Sequence, residues 1–203
     1  MTQLVNKKRN TLKHPDQRGG VFIDVQNMYY SAKNLFGAKV NFGNIVKEAI
    51  ADRKLIRAIA YVVSTESKEE QPFFDALYNL GIETKDKPLQ IFLGGEKKAD
   101  WDVGLAVDAI RFSPSLDAVV LVSGDGDYVP LVDYLRGQGK QVEVVAFGET
   151  TSSKLIEEAD DFIDLSQDKA RFLIPDKRFV PPPKKMFVAK NTRPNQQFNT
   201  NKK

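Results

Sequence analysis

The 203-residue sequence has no cysteine and only one histidine, His14. The absence of cysteine excludes a disulfide framework, a thiolate nucleophile and any zinc or iron–sulfur site built on thiolates. A single histidine also excludes metal sites with several imidazole ligands, and we expect no histidine-dependent catalytic triad. A metal ion bound by this chain must therefore rely on oxygen ligands.

Long apolar runs are absent as well. No stretch approaches the ~18 consecutive apolar residues that a membrane-spanning helix needs, and the N-terminus lacks the apolar core of a signal peptide. Hydrophobic residues make up 41% of the sequence and charged residues 28%, which is typical of a soluble domain. We expect a cytoplasmic protein with one domain and no membrane association.

Charge is unevenly distributed along the chain. Residues 1–20 carry five lysine or arginine residues against one aspartate, and residues 168–203 carry ten against two. We interpret residues 1–19 as a basic arm, residues 20–167 as an acidic folded domain, and residues 168–203 as a basic tail rich in proline, asparagine and lysine. Both terminal segments are expected to be flexible. They could be solubilising termini, or they could bind nucleic-acid phosphates.

Apolar strands alternate with helices through the central part. Buried strands are predicted at residues 20–25, 56–63, 118–122, 142–147 and 161–165. Helices are predicted from Asn41, Pro72, Trp101, Pro130 and Thr151, while residues 82–93 fit either a strand with a loop or a hairpin. The alternation predicts an α/β fold, a three-layer α/β/α sandwich with a mostly parallel central sheet.

The helix that begins near Trp101 has a clear apolar stripe. Val103, Ala106, Val107 and Ile110 follow one another at i, i+3, i+4 and i+7, which places them on one helix face. Such a face is typical of a helix that packs on a sheet. We therefore predict that these four side chains lie in the core.

Acidic side chains follow the predicted strands. Asp24 ends the first strand, Asp125 and Asp127 follow a later one, and Asp100 and Asp102 lie at the start of a helix. Ligands of open parallel sheets bind beyond the carboxyl ends of the strands, so these carboxylates are expected to share one crevice. Such a cluster would repel itself unless it surrounds a divalent cation, and carboxylate oxygens suit Mg²⁺ or Mn²⁺.

Each of these acids also has a simpler explanation. Asp100 or Asp102 could cap a helix, and Asp125 and Asp127 fit a turn whose second aspartate caps the helix that follows. Asp24 requires a partner because it ends an apolar strand, and that partner could be a hydrogen-bond donor, a lysine or a metal ion. The pattern alone leaves these explanations open.

Two further polar residues have roles that the sequence leaves open. Asn27 could orient a water molecule or a phosphate oxygen, or it could cap the next helix. Asp108 follows Asp102 by six residues, or about 600° around a helix, so the two side chains point to different faces. Asp108 is therefore expected to support the structure and not to share a metal with Asp102.

Three segments together resemble the NYN domain, in its LabA-like branch, a group related to the PIN-domain nucleases. They read FIDVQN from Phe22, KADWDVGLAVD from Lys98 and SGDGDY from Ser123. The similarity covers about residues 20–165 and implies a PIN-like α/β/α fold with, in active relatives, metal-dependent ribonuclease chemistry. The family's acidic positions correspond here to Asp24, Asp102, Asp125 and Asp127, with Asn27 as their polar companion and Asp100 as an extra acid.

The resemblance implies an endoribonuclease that hydrolyses phosphodiester bonds of single-stranded or structured RNA with water bound to Mg²⁺ or Mn²⁺. Its catalytic residues would be Asp24, Asn27, Asp102, Asp125 and Asp127, and the four aspartates would hold the metal. RNA is the expected partner and DNA is left open, as is a homodimer or a protein partner. The alternative is a catalytically weak or inactive regulatory module on the same fold that binds RNA or protein.

Residues near the acids suggest how RNA would be held. Lys97 and Lys98 could contact phosphates, although a lysine pair beside two glycines is more typical of a solvated loop. Tyr29, Tyr30 and Trp101 could stack on unpaired bases. For the two tyrosines we instead expect burial against the sheet.

Overall fold

The fold is that of a computed structural model, which describes residues 11–65, 70–91, 97–98 and 100–175. Its strands are, in chain order, β1 (Arg18–Asp24), β2 (Ala38–Val40), β3 (Lys54–Ser64), β4 (Glu83–Pro88), β5 (Gln90–Ile91), β6 (Lys97–Lys98), β7 (Ala118–Val122), β8 (Gln141–Ala146), β9 (Asp161–Asp164) and β10 (Leu173–Pro175). Its α-helices are α1 (Val25–Phe36), α2 (Phe42–Ile50), α3 (Gln71–Asn79), α4 (Asp102–Phe112), α5 (Val129–Gly137), α6 (Ser153–Glu158) and α7 (Lys169–Phe172).

A six-stranded sheet forms the centre of the molecule, with the strand order β4-β3-β1-β7-β8-β9. All neighbouring strands in this sheet pair in parallel. Two short antiparallel ribbons accompany it, one between β2 and β10 and one between β5 and β6. Within residues 82–91 a sheet strand, β4, is thus followed by β5, which pairs antiparallel with β6, so both predicted alternatives are present in part, whereas residues 92 and 93 lie outside the described residues.

Helices cover both faces of the sheet, which confirms the predicted α/β/α sandwich. Along β1, Val21 and Ile23 belong to one hydrophobic core and Phe22 to the other, because successive side chains of a strand point to opposite faces. The first core takes side chains from α1, α2, α3 and α7, and the second takes them from α4, α5 and α6. Full burial of one large apolar side chain such as Phe22 contributes about 1.5–3 kcal/mol.

We did not predict α1 from the sequence. Its buried side chains are confined to Val25, Met28, Ser31 and Ala32, so the helix lacks a broad apolar stripe. Two local signals do mark its ends. Asp24 caps its start, and Gly37 ends it with a φ of 60°, a left-handed conformation that glycine adopts without strain.

The predicted core stripe of α4 is wrong at three of its four residues, because only Ala106 packs, partly buried, against the core. Val103 is 74% exposed, Val107 56% and Ile110 38%, and the buried face of the helix is instead formed by Leu105, Asp108 and Ala109. The apolar residues on the exposed face outnumber those on the buried face, where a hydrogen-bonded aspartate occupies one position. Periodicity alone therefore pointed to the wrong side of the helix.

The folded part of the chain extends beyond residues 20–167. Residues 11–17, predicted to be part of a flexible arm, contact the domain through Thr11 and Lys13, and at the other end the folded part continues through α7 and β10, whose residues 173–175 pair with β2. Residues 168–175, which we predicted to be part of a flexible tail, are thus held against the domain. Residues 1–10 and 176–203 lie outside the described residues.

None of the helices in the described ranges is long and apolar enough to cross a lipid bilayer.

Candidate active site

The topology of the sheet brings two of the sequence motifs together. From β1 the chain continues to β3 on one side, whereas from β7 it continues to β8 on the other side. A crevice forms at such a switch point, beyond the carboxyl ends of the two central strands. Asp24 is the last residue of β1, and the segment 123–127 directly follows β7. Both motifs therefore open into the same crevice.

Asp24 is buried, with 8% of its surface exposed, and each of its carboxylate oxygens has a partner. Its Oδ1 accepts a hydrogen bond from the Asn27 backbone N–H at 3.0 Å, which caps the start of α1. Its Oδ2 lies 3.2 Å from the Ser123 Oγ and 3.4 Å from the Tyr128 hydroxyl. Among the described residues no lysine or arginine pairs with Asp24, so hydrogen bonds alone satisfy this carboxylate.

Asn27 connects the two motifs. Its Oδ1 accepts a hydrogen bond from the Gly124 backbone N–H at 3.0 Å, so of the two roles that the sequence left open the helix cap is wrong. Gly124 in turn accepts a hydrogen bond from the Ser152 N–H, and a Cβ at this glycine would lie 3.1 Å from the Thr151 Cα. The turn after β7 is therefore packed so closely against the segment after β8 that a side chain at residue 124 would require its neighbours to shift.

Asp125 and Asp127 lie in the turn after β7, as predicted. Asp125 caps a 3₁₀ turn at Gly126–Tyr128, because its Oδ1 accepts a hydrogen bond from the Asp127 N–H at 3.0 Å. The capping residue is thus the first aspartate and not the second. Asp127 is exposed at the rim of the crevice.

Asp102 reaches the same place from α4. It is the first residue of that helix, where the positive end of the helix dipole favours a carboxylate. Its Oδ1 accepts a hydrogen bond from the Tyr128 hydroxyl at 2.9 Å. Each of Asp102, Asp125 and Asp127 has a carboxylate oxygen within 4.8 Å of the other two. Asp24 lies outside this group of three and is linked to it through Tyr128.

A profile of the NYN domain matches residues 18–166 of the sequence. The chain belongs to the NYN domain family. It is 27% identical over 161 residues to the low amplitude and bright protein LabA of Synechococcus elongatus, covering 73% of this chain and 84% of that protein. A crystal structure of a protein of unknown function from Vibrio parahaemolyticus matches with a TM-score of 0.72 and 30% identity, covering 81% of this chain and all of that one. Proteins of the NYN family are generally metal-dependent nucleases.

Burial and mutual repulsion raise the pKa values of two acids in this NYN domain, Asp24 and Asp102. Burial raises the pKa of Asp24 to about 6, helped by the charges of Asp102 and Asp125 and opposed by the hydrogen bonds from Asn27 and Ser123. Burial also raises the pKa of Asp102, with the charges of the other acids adding to the effect and the Tyr128 hydroxyl opposing it. The crevice therefore favours protonated acids or a bound cation.

Asp24, Asp102 and Asp125 border a cavity of about 420 Å³. Amide side chains of α1 line one wall, from Gln26, Asn27 and Asn34. Tyr30 also lines the cavity and is 50% exposed, and Tyr29 is 43% exposed, so our expectation that both tyrosines are buried is wrong.

Trp101 forms part of the opposite wall of the cavity and is fixed in place. Its Nε1 donates a hydrogen bond to the Val62 carbonyl at 2.8 Å, and its ring meets the Tyr61 ring edge to face at 5.5 Å. A Cβ at Gly104 would lie 2.5 Å from the indole, so this glycine lets Trp101 lie against α4. A rigid aromatic side chain therefore stands beside Asp102.

The other acids near this site have separate places. Asp108 is buried and accepts hydrogen bonds from the Tyr61 hydroxyl at 2.9 Å and from Lys85, which agrees with its predicted structural role. Asp100 borders the cavity and is exposed. No side-chain hydrogen bond caps the start of α4, so the predicted alternative of a helix cap is wrong for Asp100. Lys97 and Lys98 form β6, and their side chains lie outside the described residues.

Sequence reasoning assigned no role to Tyr128 or Ser123. Tyr128 is 2% exposed, and its hydroxyl lies between Asp24 and Asp102. Burial and the two carboxylates raise the pKa of Tyr128 above its usual range, so its hydroxyl remains a hydrogen-bond donor. The only sequence signal for this role was its position directly after Asp127.

Proposed function

We propose that this NYN domain is a metal-dependent ribonuclease that hydrolyses phosphodiester bonds in single-stranded or structured RNA. The observation that supports the proposal best is the group formed by Asp102, Asp125 and Asp127, whose carboxylate oxygens lie within 4.8 Å of one another. Asp102 at the start of α4 thus meets two acids of the turn after β7, and the mutual repulsion of such a group is relieved by a bound cation.

The donors of this group fit a divalent cation. In the described part of the chain, none of the ion pairs involves Asp24, Asp102, Asp125 or Asp127, so their negative charge has no cationic side chain to balance it. Hard oxygen ligands of this kind suit Mg²⁺ or Mn²⁺. We assign Asp102, Asp125 and Asp127 as ligands and Asp24 as a further ligand or a partner of bound water.

A divalent cation at this site would neutralise the scissile phosphate and activate the attacking water. The protein residues would orient the reacting groups. Tyr128 holds the Asp102 carboxylate through its hydroxyl, and Asn27 holds the turn that carries Asp125 through Gly124. Asp24, with its pKa near 6, is suited to accept a proton at Oδ2 from water in the crevice.

The side chains that line the cavity are compatible with an RNA substrate. Tyr30 and Trp101 offer aromatic surface to an unpaired base, and the amides of Gln26 and Asn34 can form hydrogen bonds with base edges. Without a cation, the carboxylates would repel the phosphates of any nucleic acid. Substrate binding and metal binding are therefore expected to depend on each other.

The proposal is tested with labelled single-stranded and hairpin RNAs in Mn²⁺. We expect cleavage by the wild-type protein, no cleavage in EDTA, and a loss of at least about 100-fold in Asp102→Asn. Asp133→Asn, which removes an exposed acid of α5, is the matched control and should retain full activity. Absence of cleavage across varied RNAs, with binding retained, would favour a regulatory RNA-binding module on the same fold.

A further inference from the structure

The outer side of α4 is apolar over most of its length. Val103, Val107 and Ile110 are exposed there, and Ala106 beside them lines a groove of about 610 Å³ between α4 and α5. Their spacing of i, i+3, i+4 and i+7 places the four side chains in one line along the helix. Single apolar residues on a surface are common, but a contiguous set is typical of an interaction site. These four residues are the outer stripe of α4.

The two ends of the outer stripe differ in charge. At the start of α4, the groove is bordered by three acids, Asp100, Asp102 and Asp127. At the other end, Arg111 is exposed in the last turn of α4, and Lys140 donates a hydrogen bond of 2.9 Å to the Leu116 carbonyl just after the helix. Asp117, which follows Leu116, forms an ion pair with Arg18. The stripe is therefore acidic at one end and basic at the other.

Arg111 and Asp100 have no ion-pair partners in the part of the chain that the structure describes. Both side chains are exposed, and the Arg111 guanidinium lies 5.9 Å from the centre of the Phe112 ring. Arginine beside apolar residues is enriched in contacts between proteins, whereas lysine is depleted there. Each of these two charges can therefore pair with a charge of another molecule.

The charges restrict which molecule can cover the outer stripe. Nucleic acid would bring phosphates to the acidic end, and its backbone has little apolar surface to pack on the valines. Parallel pairing with α4 of a second copy would bring two acidic ends together. Antiparallel pairing instead brings the acidic end of each copy to the basic end of the other, which makes the charges complementary.

The apolar residues of the stripe allow the same antiparallel pairing, because their spacing is symmetric about the midpoint between Ala106 and Val107. A two-fold axis perpendicular to α4 at this point sets Val103 opposite Ile110 of the second copy, and Ala106 opposite Val107 of the second copy. The 11 residues of α4 are about 16 Å long. The two acidic groups therefore lie at opposite ends of such a contact and not against each other.

We propose that the chain forms a two-fold dimer in which α4 packs antiparallel on α4 of a second copy. Val107 lies next to the two-fold axis, and Arg111 of each copy lies at the acidic end of the other, near Asp100. The occupant of the stripe is the same chain, because the stripe complements itself both in its apolar spacing and in its charge. This dimer requires neither the metal nor the RNA of the proposed function.

The absence of cysteine allows a direct test by disulfide cross-linking of the full chain. Antiparallel pairing brings residue 107 of the two copies together, whereas residue 103 of the two copies is separated by about 10 Å along the helix, beyond the reach of a disulfide. Val107→Cys should therefore form a covalent dimer at least about tenfold faster than Val103→Cys. A mixture of Val103→Cys with Ile110→Cys should cross-link as readily as Val107→Cys.

The control for random collision is Tyr78→Cys, because Tyr78 is 81% exposed and lies on α3, on the opposite face of the sheet. Val103 is more exposed than Val107, so accessibility alone would favour the opposite order of rates. Equal rates for Val103→Cys and Val107→Cys would overturn the antiparallel pairing. A rate for Val107→Cys no higher than that for Tyr78→Cys would overturn the contact itself.

Charge exchange tests the pairing without a cross-link. In sedimentation experiments on the full chain, Arg111→Glu and Asp100→Arg should each dimerise at least about tenfold more weakly than the wild type. An equimolar mixture of the two variants should regain dimers, because both charge pairs of the mixed dimer then join opposite charges. Lys47→Glu, which reverses an exposed charge in the last turn of α2, is the matched control and should dimerise as the wild type does.

Two results of the sedimentation experiment would overturn the proposal. One is a wild-type chain that remains monomeric at every concentration tested. The other is a mixture of Arg111→Glu and Asp100→Arg that dimerises no better than the separate variants, since this would mean that residues 100 and 111 do not meet across the contact.

Discussion

Buried carboxylates at the two ends of the central sheet differ in the partners that compensate their charge. Near the start of the strands, Glu143 is fully buried and is held by Arg53 through two hydrogen bonds of 2.8 Å, with Lys13 at 3.3 Å. At the carboxyl end, Asp24 is also buried but has only hydroxyl and amide partners. Side chains of the protein neutralise Glu143, whereas the site around Asp24 is suited to a cation from solution.

The difference shows that burial of an acid is not by itself a sign of function. Glu143 and Asp24 both interrupt apolar strands, and from sequence alone either could belong to a site. A buried charge needs compensation, and the source of that compensation distinguishes the two. Where a described arginine supplies it, the acid is structural; where no described cationic side chain does, the acid can bind a metal.

The largest effect on stability is expected near the start of the strands, where Arg53 compensates Glu143. Arg53→Met leaves the buried Glu143 with Lys13 and the Gln141 amide as its described partners, and breaking a buried pair in this way costs about 3–5 kcal/mol of the free energy of unfolding. Urea denaturation measures this loss. The double variant Arg53→Met with Glu143→Met should recover most of it, and a double variant as unstable as the single one would contradict the pairing.

At the carboxyl end of the sheet, removing the charge of Asp24 is expected to increase the free energy of unfolding. The pKa of Asp24 is about 6 in the folded protein against an ordinary value of 3.8, so the folded state binds a proton more tightly than the unfolded chain. This contribution to stability is fully present below pH 4 and is lost as the pH rises through 6, by up to about 3 kcal/mol.

Asp24→Asn should therefore be more stable than the wild type at pH 7.5 in EDTA, by about 2–3 kcal/mol, and equally stable near pH 4. Asparagine retains the ability to cap α1. Urea denaturation at both pH values gives the comparison. A variant that is less stable than the wild type at pH 7.5 would mean that the carboxylate is already compensated.

A smaller effect is expected from the hydroxyl that joins the acids. Tyr128→Phe removes the donor to Asp102 and should lower the free energy of unfolding by about 1 kcal/mol. Tyr134→Phe, which alters an exposed tyrosine of α5, is the control and should have no effect. Equal stability of Tyr128→Phe and the wild type would show that the hydroxyl does not hold Asp102.

Much of the site could be predicted because parallel sheets bring the ends of their strands to one edge. Asp24 and Asp125 each follow a strand with an apolar sequence, and the rule for ligand sites then places them together. Asp102 was harder, because it precedes a helix and comes near the others only through the packing of α4. The pattern offered both Asp100 and Asp102 at the start of this helix, and the resemblance to the NYN domain favoured Asp102.

The sequence was less informative where side chains face solvent or one another. Val103, Val107 and Ile110 have the spacing of a core face, and nothing in the pattern shows that Leu105 and Ala109 are buried in their place. Tyr30 is an aromatic residue and was expected inside, yet half of its surface is exposed. Contacts between distant elements, such as that between Asn27 and Gly124, have no local signal.

The most direct test of the central claim is calorimetric titration of Mn²⁺ into the wild type, Asp125→Asn and the control Asp133→Asn. We expect the wild type and the control to bind with the same affinity, and Asp125→Asn to bind at least about tenfold more weakly. Equal affinity in all three proteins would contradict a metal site formed by Asp102, Asp125 and Asp127.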